Sequence, residues 1–181
     1  MSEPSGPQWC PRFPASRSPD DLLPDFADAV KAFLSQLSHA GASVSIGDTY
    51  RPPERAYLMH WCCMIAQSGQ DPAQVPPLPG VAIDWSHGGS IAAARAAAAQ
   101  MVSGYQILYP PALVSRHTQR RAIDMTIGWH GTLNILDFNG QRHAITSAPQ
   151  SGMNPDLIKV GASFGVIKLP ADAPHWSDDG H

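Results

Sequence analysis

Proline and glycine, 18 and 15 of them among 181 residues, limit more than any other feature what this chain can fold into. Proline fixes φ and removes a backbone donor, and glycine opens conformations used in turns. Here they are spread between apolar segments, with no internal repeat and no periodic low-complexity tract. Such punctuation leaves room only for short elements and predicts a loop-rich α+β domain. The length suits one domain with a real core, so the chain divides into an extended arm over residues 1–19 and a single domain over 20–181.

A net charge of −3 and a pI near 6.2 give no basic footprint for nucleic acid or an anionic membrane. No apolar run approaches the length that spans a bilayer, and Met1 to Ser18 lacks the basic start and apolar core of a signal peptide. Synthesis in the cytoplasm, without membrane insertion, is the expectation. Three cysteines, two of them adjacent as Cys62-Cys63, make neither a disulfide framework nor a Cys-x-x-Cys metal motif.

Taken in order, Leu22, Phe26, Val30, Phe33, Leu34 and Leu37 recur at helical spacing after Ser18 or Asp20 as N-cap, and Gly41 stops that helix. A short strand follows over 42–48, and Pro53 opens a second helix with the stripe Leu58, Trp61, Cys62 and Ile65. Residues 69–89 read as a loop containing a short strand near 81–85, with His87 a solvated loop residue. Ser90 caps an alanine-rich helix that stops at Gly104, and a strand starts at Tyr105. Strands are expected over 122–127, 133–138 and 164–169, and a short helix from Asn154 to a stop at Gly161. Asn139-Gly140 predicts a two-residue hairpin turn that pairs Asp137 with Arg142 and Leu136 with His143, making His143 a sheet residue. Ser177 to His181 reads as a polar tail.

The chemistry concentrates in two stretches. Ser115-Arg116-His117 leads to Asp124, and Asp172 precedes His175-Trp176 by three residues. Two imidazoles and one carboxylate suit Zn2+, which in hydrolytic sites takes three protein ligands and keeps one position for water. His117, Asp124 and His175 are the candidate ligands, and Asp172 is the candidate acceptor of the water's proton. Trp176 is expected beside the site, excluding solvent, and Ser115 is a hydrogen-bonding group for substrate or loop.

Ser-x-His, then Ala-x-Asp with the Asp seven residues after the His, and later an acidic residue three before His-Trp, resemble the zinc D-Ala-D-Ala carboxypeptidases. That family also includes L-alanyl-D-glutamate endopeptidases of phage lysins, and the resemblance covers roughly residues 42–177. It implies a small, mainly antiparallel sheet flanked by helices, of the hedgehog/DD-peptidase kind. It implies also that Tyr50 and Arg51 bind substrate, the Arg holding its carboxylate, as a planar guanidinium can in bidentate fashion; by itself Arg51 reads also as a surface residue or as the partner of Asp48. Arg120 stands where the family usually has Gly. Arg116, Arg120 and Arg121 form either an attractive face for an acidic muropeptide or a solvated loop.

The function implied is hydrolysis of an amide bond in peptidoglycan stem peptides or crosslinks. Such a substrate lies outside the cytoplasm, so the resemblance implies a lysin released through a membrane pore or an antibacterial effector delivered by a secretion machine, with an immunity or delivery protein as further partner. Two alternatives belong to other classes: a zinc-containing domain that only binds cell-wall peptide or protein, and a Cys-His hydrolase built on His60 and Cys63.

Overall fold

The computed structural model describes residues 2–181. Its elements follow one another as β1 (Glu3–Pro4), α1 (Pro24–His39), β2 (Ser43–Ile46), α2 (Pro53–Gln67), β3 (Ile83–Asp84), α3 (Ile91–Tyr105), β4 (Ala122–Gly128), β5 (Leu133–Leu136), β6 (Arg142–Ile145), α4 (Pro155–Ser163), β7 (Ile167–Lys168) and β8 (His175–Ser177). Helices and small, mostly antiparallel sheets make this an α+β fold, as the sequence predicts; the strands are short, but α1, α2 and α3 run to 16, 15 and 15 residues. Among the described residues no helix is long and apolar enough to cross a membrane. The chain forms two compact units, one from the segment up to Pro14 with Pro52–Ser115, the other from Ala15–Arg51 with Arg116–His181.

In the first unit α2 and α3 pack through Leu58, Cys62, Ile65, Ala94, Ala98 and Met101, with Trp9 and Trp85 closing the core. The N-terminal segment is held by the parallel pair β1 and β3 and by the buried Trp9 ring, which sits under the Arg12 guanidinium. Ser90 caps α3 by accepting from the Ala93 N–H at 3.3 Å. The strand expected from Tyr105 does not form. Tyr105 instead completes α3, its hydroxyl donating to the Trp9 carbonyl at 3.3 Å and its ring carrying the Arg55 guanidinium, and Gln106 at φ 57° ends the helix.

The second unit is built on a four-stranded sheet ordered β2-β4-β8-β7, antiparallel throughout. Against it pack α1, through Phe26, Val30, Phe33 and Leu37, and α4, through Leu157 and Val160. Ser18 caps a short 3-10 turn at Pro19–Asp21, while α1 itself opens with Pro24 at its first position and no side-chain cap. Gly161 lies inside α4, which runs on to Ser163, and its role is close packing. A Cβ there would stand 2.7 Å from Trp176 Cζ3 and 3.0 Å from the Val166 carbonyl.

The hairpin of β5 and β6 forms its own two-stranded sheet, one residue out of the expected register: Leu136 faces Arg142 and Ile135 faces His143. Asp137 explains the shift. Its Oδ1 accepts from the Asn139 and Gln141 N–H groups at 2.9 Å each, and its carbonyl from Gly140 at 3.0 Å, which takes Asp137 out of the strand and lengthens the turn. His143 is a sheet residue whose Nε2 meets Asp137 Oδ2 at 3.1 Å.

Candidate metal centre

The antiparallel register sets Asp124 opposite His175 across β4 and β8. Asp124 spends both backbone groups on the other neighbour, its N–H donating to Asp48 and its carbonyl accepting from Gly47, each at 2.8 Å. That makes Asp124 and His175 a non-hydrogen-bonded pair, the kind whose side chains stand closest. His117 arrives from the turn before β4, where its carbonyl accepts from the Arg51 and Arg120 N–H groups at 3.2 Å each.

Three atoms converge as a result. His117 Nε2 lies 3.1 Å from Asp124 Oδ1 and 3.1 Å from His175 Nδ1, and His175 Nδ1 lies 3.2 Å from Asp124 Oδ1. The far nitrogen of each ring faces a backbone carbonyl: His117 Nδ1 meets Thr49 O at 3.3 Å, and His175 Nε2 meets His181 O at 3.1 Å. A carbonyl can only accept, so each far nitrogen carries a proton, and a ring holding that proton alone turns a lone pair inward. Two lone pairs and a carboxylate oxygen in mutual contact repel one another unless a cation sits among them. Burial pushes the Asp124 carboxyl up, but with no metal present and protons on the inner nitrogens the hydrogen bonds and charge of His117 and His175 outweigh it and hold the group well below the usual carboxylate range.

The buried His117, Asp124 and His175 group can therefore hold a metal ion. Tetrahedral ligands about 2.0 Å from a metal stand roughly 3.3 Å apart, close to the triangle these atoms make. Ring nitrogens anchored to carbonyls are the outer support that such ligands ordinarily have.

The remaining expected site residues divide. Arg51 is adjacent through its backbone bond to His117; its Nη2 donates to Asp48 Oδ2 at 3.0 Å, and its buried Nε has no partner among the described residues. Tyr50 is half-buried beneath the Arg120 guanidinium, 4.4 Å from its ring centroid. Arg120 adopts φ 61°, a left-handed backbone that glycine takes without strain, so the turn keeps its shape with a large side chain in place. Asp172 is exposed on the loop between β7 and β8, and its carboxylate is not one of the three converging groups. Ser115 belongs to the other unit, as its last residue.

Three expectations need correcting. Trp176 does not flank the metal centre: strand alternation turns it to the opposite face of His175, where it is fully buried 5.7 Å from the Phe33 ring. Residues 177–181 are no free tail. Ser177 Oγ accepts from the Gly180 and His181 N–H groups at 2.8 and 3.0 Å, and the turn so formed supplies the carbonyl that orients His175. Arg116 and Arg121 do not form an open basic face, since Arg116 pairs with Asp179 and Arg121 with Asp178 at 2.8 Å.

Sequence reasoning passed over Thr49, His181 and Lys168. The first two act through backbone carbonyls, which carry no residue-type signal. Lys168 did leave one, as the single charge in the run Val166-Ile167-Lys168-Leu169. In the first unit, His60 Nδ1 donates to the Pro111 carbonyl at 2.9 Å, and Cys63 is fully buried with its thiol pushed up by that burial. Neither is placed as a nucleophile and its base. No protein-family model matches the chain, and no curated protein matches it in sequence.

Proposed function

We propose that this protein is a zinc-dependent peptidase that hydrolyses an amide bond in the stem peptides or crosslinks of bacterial peptidoglycan, related to the D-Ala-D-Ala carboxypeptidases and L-alanyl-D-glutamate endopeptidases and sharing their hedgehog/DD-peptidase fold. One observation carries the reading: His117 Nε2, Asp124 Oδ1 and His175 Nδ1 meet within 3.2 Å of one another, while the far nitrogen of each imidazole faces a backbone carbonyl. His and carboxylate donors in a closed, three-membered set suit zinc better than the all-oxygen cations. Zinc bound there supplies a Lewis acid and brings the pKa of water toward neutrality.

The chain's own residues supply the rest. Asp172 takes the proton of the attacking water and passes it to the leaving amine. Arg51, its Nε unspent and its Nη2 steadied by Asp48, binds the substrate's carboxylate. Tyr50, held flat by Arg120, walls the same side. Such a substrate places the site of action in the periplasm or outside the cell, after release as a lysin or delivery as an effector, with an immunity or delivery protein as a further partner.

The test is incubation of the purified protein with stem peptides, with and without chelator, read by mass spectrometry. Chelator-sensitive release of a defined fragment is expected, and Asp172→Asn should keep zinc while losing about 10²-fold or more in turnover. Turnover that survives metal removal would sink the assignment. A second reading, a zinc-containing domain that binds cell-wall peptide without cutting it, draws on the exposure of Asp172 outside the ligand triangle. Saturable, zinc-dependent peptide binding with no product would select it.

A further inference from the structure

Lys168 is 3 % exposed, yet among the described residues no carboxylate touches its ammonium. Its Nζ donates instead to three backbone carbonyls, Leu169 O at 2.7 Å, His175 O at 2.9 Å, and Asp172 O. An ammonium has three donors, and all three are used.

The acceptors are linked to one another as well. The Asp172 N–H donates to Leu169 O at 3.2 Å, the His175 N–H to Asp172 O at 3.1 Å, and the Leu169 N–H to His175 O at 3.1 Å. The loop from β7 to β8 is thus a closed ring of three backbone hydrogen bonds, and each carbonyl in the ring offers its second lone pair to the same nitrogen. Three carbonyl dipoles aimed at one point repel unless a cation lies there, and burying an ammonium without ion pairing costs several kcal/mol. Each cost is met by the other. The Lys168 ammonium also packs over the Trp176 ring, 5.6 Å from its centroid; burial pushes its pKa down, and the charges of Asp172 and Asp124 act against that.

We infer that Lys168 is a positioning residue for the metal centre: its ammonium acts as a built-in cation that closes the β7 to β8 loop and thereby sets Asp172 and His175 in working register. This rests on the zinc reading above. It assigns the loop's shape to a charge at its centre, and not to the apolar packing of the lysine stem.

The charge can be tested apart from the stem. Zinc affinity is measured by competition with a chromophoric chelator for the wild type, Lys168→Met and Lys168→Ala, and the Co2+-substituted proteins are compared by visible absorption. Lys168→Met should weaken zinc binding by about 10- to 100-fold, the range typical of outer support around a metal ligand, and alter the Co2+ spectrum. In Lys168→Ala, propylammonium should restore affinity, whereas 1-propanol, of the same shape without charge, should not. Affinity in Lys168→Met within twofold of the wild type, or equal rescue by the alcohol, would overturn the inference. Should the variants not fold, the wild type still decides: the 15N signal of the Lys168 ammonium must shift as zinc is added, and a signal indifferent to zinc overturns the proposal. A wild type that takes up no zinc fails the functional reading itself; a zinc-binding wild type with an unaffected Lys168→Met fails only this one.

Discussion

Each of the two units buries a cluster of residues able to do chemistry, and the clusters differ in where their polar atoms point. In the first, His60 and Cys63 stand three apart on α2, but the imidazole is spent on the Pro111 carbonyl and the thiol is sealed in the core. In the second, His117, Asp124 and His175 come from positions as much as 58 residues apart and aim three acceptors at one point. Sequence neighbours on one helix share a face and satisfy themselves locally. Residues from a turn and two paired strands can be left mutually unsatisfied, and that frustration is what makes a binding site.

The largest expected effect breaks the comparison if it fails. His117→Ala should lower zinc affinity by more than about 100-fold, beyond the 10- to 100-fold typical of outer-shell changes, while Cys63→Ser should leave it unchanged; equilibrium dialysis with metal analysis reads both. In the wild type, zinc at 1,000 times its Kd should add about 4 kcal/mol of stability, visible in denaturant titrations, and at the same zinc concentration His117→Ala should cut the increment to about 1.4 kcal/mol or less.

Next come two glycines, one in each unit. Gly161→Ala should destabilise by about 1–3 kcal/mol, because the new Cβ meets a tryptophan ring and a backbone carbonyl that cannot move. Gly104→Ala should cost less, since its Cβ meets the Cys10 side chain alone, Sγ at 2.8 Å, a thiol held only by a weak 3.7 Å bond to the Met101 carbonyl, and alanine favours a helix by about 1 kcal/mol over glycine. Equal losses in urea titration would erase the distinction.

Acid sharpens the contrast in charge. The metal-free Asp124 carboxyl titrates below its unfolded value, so its contribution is present above about pH 4 and lost as pH falls below that. Asp124→Asn should flatten this acid limb in chelator-treated protein, and an unchanged limb would mean the imidazoles do not hold the carboxylate. The smallest effect is expected at Arg120→Gly, where relief of a left-handed backbone, about 1 kcal/mol, is partly offset by loss of the contact with Tyr50, roughly 0.5–1 kcal/mol. A change in melting temperature beyond a few degrees would show that one of the two terms is misjudged.

The elements with strong periodicity or caps were legible in the sequence: α1 from its apolar spacing, α3 from its alanines and Ser90, α4 from Asn154, and β4 from its alternation. That His117, Asp124 and His175 belong together was legible from the spacing of the Ser-x-His, Ala-x-Asp and His-Trp motifs, and the structure brings the three side chains to one point. What escaped depends on tertiary contacts. Tyr105 stays helical because Trp9 and Arg55, far away in sequence, hold it there. Asp137 moved a hairpin register through a side chain that outcompeted the Asn139-Gly140 turn signal. Trp176 was misplaced because a residue adjacent to a ligand in a strand necessarily faces away from it.

The four residues from Asp48 to Arg51 hold two of the three converging groups. Asp48 O receives the Asp124 N–H, Thr49 O receives the His117 ring, the Arg51 N–H binds the His117 carbonyl, and the Arg51 guanidinium returns to Asp48. A metal held by His117 and Asp124 and an anion held by Arg51 would therefore pull on one short length of backbone. Thermodynamic reciprocity then requires that whatever factor the ion contributes to anion affinity at Arg51, an anion bound at Arg51 contributes to affinity for the ion. Occupancy of one becomes a measurable gauge of the other.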